Sequence, residues 1–173
     1  MTEAGLDFRV IPSPFDEHGF TAACPQELVA GLARGKAAAV APYAEPHELV
    51  IGSDTVVVLG STVLGKPADA AEAASMLRRL SGATHQVMTA VSLQRDGQEV
   101  RSFAEIAQVR FWDLSAEEID AYIATGEPFD KAGAYGIQGQ GRLLVSAIDG
   151  DFYTIVGLPI ARLVRELRAL GVA

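Results

Sequence analysis

Asp54 sits in the middle of VIGSDTVVVLG, residues 50–60, a run whose flanks Val50-Ile51 and Val56-Val57-Val58-Leu59 are those of a strand covered on both faces. An unpaired carboxylate in such a place costs several kcal/mol or holds a proton. Asp54 therefore requires a partner, a solvent-filled cleft or a cation. Lys36 is a second anomaly: at about 100° per residue it projects between Leu32 and Val40, inside the apolar stripe of a helix expected over residues 26–43. The third is DKAGAYGIQGQG, residues 130–141, where four glycines in twelve residues surround Lys131 and Gln138. Glycines there either serve turns or let backbone amides approach a phosphate closely.

Together these residue types define a chemistry. Glu17 and Asp54 are hard oxygen ligands suited to Mg2+ or Mn2+, which would bridge substrate phosphates. Lys36, Lys66 and Lys131 supply compact positive charge for phosphate oxygens. A carboxylate near the metal can take a proton from an attacking water. The reaction class that fits is hydrolysis of a phosphoric anhydride. Each feature also has a plain structural reading: Lys36 as a snorkelling lysine, Asp54 as part of a turn or bulge, Lys66 as a solvated turn residue. Three local violations in one small domain favour a site.

The elements that must position these groups follow from the pattern. Leu6 to Ile11 alternates as a strand ended by Pro12 and Pro14, and Phe15-Asp16-Glu17-His18 reads as an acidic loop. After the Asp54 strand, Gly60-Ser61 turns the chain into Thr62-Val63-Leu64 and then Gly65-Lys66-Pro67. Residues 68–81 read as a helix stopped by Gly82. Arg95-Asp96-Gly97-Gln98 joins two long strands, because Asp-Gly favours a turn with positive φ. Ser115 to Glu118 is a capping box that starts a helix through Ile123. Residues 143–148 read as a strand, 152–156 as strand-like, and a last helix follows Pro159. The order is α/β, or α+β with a mixed sheet.

Composition bounds the rest. At 173 residues, 49% hydrophobic and 21% charged, the chain is long enough for one domain with a real core. A net charge of -8 argues against a nucleic-acid surface. The single cysteine, Cys24, excludes an internal disulfide and a thiolate metal site. No zinc spacing, Walker motif or dinucleotide fingerprint is present, and His85, in alternation with Val87 and Thr89, is expected to be a hydrogen-bonding structural histidine. No signal peptide or membrane span is legible, so a cytoplasmic protein is expected.

Phe15-Asp16-Glu17, Lys36-Ala37, IGSDTVV, LGKP, LSGATHQVMTAV, LSAEEIDAYIATGEPFDKAGAYGIQG and DFYTIVGLPI together resemble the Maf family of nucleotide pyrophosphatases over almost the whole chain. The resemblance implies a Maf/ITPase-like fold with a mixed twisted sheet, flanking helices and two lobes around a central cleft. It also implies a homodimer and metal-dependent hydrolysis of a nucleoside triphosphate to the monophosphate and pyrophosphate. By position, Asp54 looks like the family's proton acceptor, and Glu17, Lys36 and Lys66 look like its polar cleft residues. Thr55 and Gln138 resemble the branch acting on dTTP and UTP; an amide and a hydroxyl can bond the O4 and N3 edge of a pyrimidine. The family's Ser-x-Ser-Pro-Arg-Arg loop has no counterpart here, and MTEAGLDFRVIPS resembles the end of the helix that follows it, so an N-terminally shortened single domain is expected. That departure motivates the alternative expectation, a nucleotide-binding regulator linked to septum formation whose catalysis is impaired. Thr154 stands where the family often has asparagine, a difference to which no function attaches.

Overall fold

The computed structural model describes residues 1–172. Five strands, β1 (Leu49–Leu59), β2 (Thr62–Leu64), β3 (Thr84–Arg95), β4 (Gln98–Phe111) and β5 (Val145–Asp149), form an antiparallel sheet in the order β2-β1-β3-β4-β5. Helices α1 (Pro25–Val40), α2 (Ala70–Leu80), α3 (Ala116–Ala124), α4 (Phe152–Val156) and α5 (Ile160–Ala169) flank it. The combination of strands and flanking helices is the one expected; the sheet is antiparallel where a mixed one was expected. Among the described residues no helix is long and apolar enough to cross a membrane.

Local chemistry accounts for most boundaries. Pro25 opens α1, where its missing N–H would have had no helical partner. The Asp69 side chain accepts from Glu72 N at 2.8 Å to start α2, and Gly82, at φ 65°, lies just past its end. Asp96 and Gly97 both adopt positive φ, 52° and 75°, which gives the β3–β4 turn the twist of its strands. The capping box of α3 is complete: Glu118 N donates to Ser115 Oγ at 3.2 Å and Ser115 N to Glu118 Oε2 at 2.7 Å.

The chain divides into two compact units. The first comprises residues 1–54, 89–105 and those from 157 on. Its core joins Val91 and Leu93 of β3 to Leu163 and Leu167 of α5, with Leu6, Leu49, Ile51 and Phe103 packed against them. The second comprises residues 55–88 and 106–156. There Val57, Leu64, Leu77, Leu80, Val87, Val109, Phe111 and Tyr135 are buried together. Each unit thus has its own apolar centre.

Three expected elements differ. Residues 6–11 form no strand: Leu6 packs into the first core, while Arg9 grips Glu48 with Nε to Oε1 at 3.0 Å and a second nitrogen to Oε2 at 2.6 Å. Side-chain anchors replace a ladder there. Residues 152–156 are helical, because the Asp151 carboxylate accepts from Thr154 N at 3.0 Å and bends the aromatic and β-branched run into a turn. Leu143 and Leu144 end a 3-10 turn over residues 139–144, so β5 starts at Val145.

Candidate active site

Gly52 begins the site. A methyl group at position 52 would collide with the carbonyl of Ala33 and the amide of Ala37, so the backbone of α1 lies directly on β1. That approach puts Lys36, one residue before Ala37, opposite Asp54, two residues after Gly52. Lys36 Nζ donates to Asp54 Oδ1 at 2.5 Å. The carboxylate inside the strand has the partner its burial demands, with its side chain only 9% exposed.

Glu17 is delivered by a different device. Phe15 and Phe20 lie on α1 where Gly35 and Gly31 leave room, and side chains at either glycine would strike the rings. The rings meet edge to face, 6.2 Å apart. Ser13 Oγ donates to Lys36 O at 3.2 Å and accepts from Phe15 N at 3.3 Å. The loop is held at both sides of Glu17, whose Oε1 lies 2.9 Å from Lys36 Nζ. Sequence reasoning named Glu17 and missed its anchors. The legible signal was a pair of helix glycines four apart, facing a loop with two phenylalanines.

One ammonium therefore bridges two carboxylates. Burial works against the charge on Lys36, but its hydrogen bonds to Asp54 and Glu17, and their charges, outweigh that and raise its pKa above the ordinary lysine value. Lys36 is charged at neutral pH, not a solvated snorkelling lysine. Among the described residues no cluster of three or more His, Cys, Asp and Glu side chains is placed to hold a metal. Glu17 Oε1 and Asp54 Oδ1, both beside Lys36 Nζ, are hard oxygen donors of the kind a divalent ion takes.

Thr55, Lys66, Lys131 and Gln138 belong to the second unit. Thr55 continues β1 and is half-buried. Lys66 is exposed after β2, in a turn whose Gly65 carbonyl accepts from Gly133 N at 3.0 Å. Lys131 pairs with Asp130 at 2.6 Å, and Gln138 is exposed in the glycine-rich loop. His85 is the expected structural histidine, with Nε2 2.8 Å from Tyr135 Oη.

The sequence model of the Maf-like protein family matches residues 1–170. A dTTP/UTP pyrophosphatase of Bacillus cytotoxicus is 52% identical over 167 residues, spanning 95% of this chain and 85% of the relative. One from Geobacillus sp. (strain WCH70) is also 52% identical, over 97% of this chain and 89% of the relative. One from Bacillus cereus (strain AH187) is 48% identical over 98% and 87%. The chain belongs to the Maf family.

Proposed function

We propose that this Maf-family chain hydrolyses nucleoside triphosphates, dTTP and UTP in preference, to the nucleoside monophosphate and pyrophosphate. The observation that carries the reading is the Lys36 ammonium held between Glu17 and Asp54, in a chain about half identical to relatives named for that activity. In this reading Asp54 accepts the proton of a water that attacks the α-phosphorus. The bond to the oxygen bridging the α- and β-phosphorus breaks, and the leaving pyrophosphate carries that oxygen. Glu17 and Asp54 would hold a divalent cation, Mg2+ or Mn2+, which when bound neutralises phosphate charge.

Lys36 is the counter-ion of both carboxylates in the free chain and can turn its ammonium to a phosphate oxygen, trading one anion for another. Lys66 and Lys131 provide further positive charge for the triphosphate, with Lys66 acting on the leaving group. Thr55 and Gln138 read the pyrimidine edge, where unpaired polar groups penalise a wrong base. The family resemblance also leads us to propose a homodimer working in the cytoplasm.

Pyrophosphate release from dTTP, UTP, CTP and 7-methyl-GTP, with Mg2+ or Mn2+ supplied, tests this. Expected are turnover of dTTP and UTP above the others and a fall of roughly 10²- to 10⁴-fold in kcat for Asp54→Asn. Nucleotide binding without turnover, or an undiminished Asp54→Asn, overturns the reading.

A further inference from the structure

The glycine-rich loop is built around two side chains to which the chemistry above gives no task. Tyr122 lies on α3 and Glu127 in the 3-10 turn that follows it. Glu127 accepts from Gln140 N, with its two oxygens at 3.1 and 3.0 Å, and from Gly141 N at 3.3 Å. It thereby caps the turn of residues 139–144 from a position twelve residues upstream of its first residue. Tyr122 Oη accepts from Gly136 N at 3.1 Å. Thr125 locks the pair by donating to Tyr122 O at 2.6 Å and accepting from Glu127 N at 3.1 Å.

The glycines are the complement of this brace. A methyl group on Gly139, which has φ 68°, would lie 2.7 Å from the Glu127 carboxylate, and one on Gly141 would lie 2.7 Å from Tyr122 Oη and collide with the Gly136 carbonyl. Gly136 and Gly141 therefore touch, closing residues 136–141 into a small ring. Gln138 is the residue opposite that closure. Its backbone is extended, at φ -85° and ψ 168°, and its side chain is exposed. The residues two before and two after it are pinned by Tyr122 and Glu127. A flexible loop would spend binding free energy on ordering the backbone around Gln138, whereas here the amides of residues 136, 140 and 141 are already held.

We infer that Glu127 and Tyr122 are positioning residues for base selection, acting through the backbone of the 136–141 ring to fix the amide of Gln138. The inference rests on the proposed contact between Gln138 and the pyrimidine. Neither residue touches the nucleotide in this scheme; they set how well Gln138 discriminates. Removing the carboxylate frees the amides of residues 140 and 141 and lets the amide of Gln138 wander, so the penalty against a wrong base falls.

The test measures kcat and KM for dTTP and CTP in Glu127→Ala, Glu127→Gln, Tyr122→Phe and Gln138→Ala, with hydrogen exchange of the Gln140 and Gly141 amides read in the same proteins. Expected for Glu127→Ala are faster exchange at both amides and a roughly tenfold loss of discrimination carried by KM for dTTP more than by kcat. Glu127→Gln, which keeps one acceptor oxygen, should recover part of both. Faster exchange with unchanged discrimination overturns the inference. Should Glu127→Ala fail to fold, Glu127→Gln and Tyr122→Phe decide, and unchanged selectivity in both overturns it. Gln138→Ala separates the two readings. If it loosens selectivity while the Glu127 and Tyr122 variants do not, only the brace falls; if it leaves selectivity intact, the base contact falls and the positioning role with it.

Discussion

An ammonium shared by two carboxylates is not shared equally, because the carboxylates differ in burial. Asp54 is 9% exposed and Glu17 is 47% exposed. Water screens the outer pair, which should contribute below about 1 kcal/mol, while losing the inner partner strands a charge in the protein at a cost of about 3 kcal/mol. Double-mutant cycles on unfolding free energy, pairing Lys36→Met with Asp54→Asn and with Glu17→Gln, should give a large coupling for the first and a small one for the second. Equal couplings would show that the two contacts have the same dielectric surroundings. This inequality was half legible in the sequence: a carboxylate in a β-branched run must be partnered, and a lysine in an apolar stripe is an obvious candidate. That the same lysine also takes Glu17 was hidden, since it depends on where Phe15 and Phe20 rest.

At the scale of elements, three glycines place the site by letting other groups approach. Gly52 faces backbone atoms of α1, which cannot swing aside, so Gly52→Ala should cost about 3 kcal/mol through overpacking and separate Lys36 from Asp54. The atoms nearest a Cβ on Gly35 all belong to the ring of Phe15. Its replacement by alanine gains about 1 kcal/mol of helix propensity against the cost of moving that ring, so stability should change by less than about 1 kcal/mol while the Glu17 loop is displaced. Urea unfolding together with proteolytic nicking at residues 13–20 distinguishes them. A Gly52→Ala protein as stable as the parent would mean that helix and strand do not meet there. Helix glycines read locally as defects, which is why this assembly was passed over in the sequence although its pair of glycines stood there to be read. The capping box at Ser115 and the Asp-Gly turn were legible because their chemistry is complete within four residues. Residues 152–156 misled for the opposite reason: their composition favours a strand, and one hydrogen-bonding aspartate just before them decides otherwise.

For the molecule as a whole, the pH dependence of folding is the property one buried group should mark. His85 is 2% exposed, wedged against Phe111 and Tyr135 with ring centroids 5.1 and 5.4 Å away. Its Nε2 meets Tyr135 Oη and its Nδ1 has no hydrogen-bond partner among the described residues. Burial pushes its pKa down to about 4, against an unfolded value of about 6.5. Between those values the unfolded chain binds a proton that the folded chain refuses, so unfolding becomes easier as pH falls through the window. The contribution is whole above about pH 6.5 and is lost progressively toward pH 4, amounting to about 3 kcal/mol across the full interval. Carboxylates titrate at the lower end too, so the informative quantity is a difference. Urea midpoints for the parent and for His85→Gln, at pH 7 and pH 4.5, should show the parent losing about 2 to 3 kcal/mol more than the variant. Parallel losses would mean that water reaches the His85 ring in the folded state, and that the core built on β3, β4 and Tyr135 is looser than its packing requires.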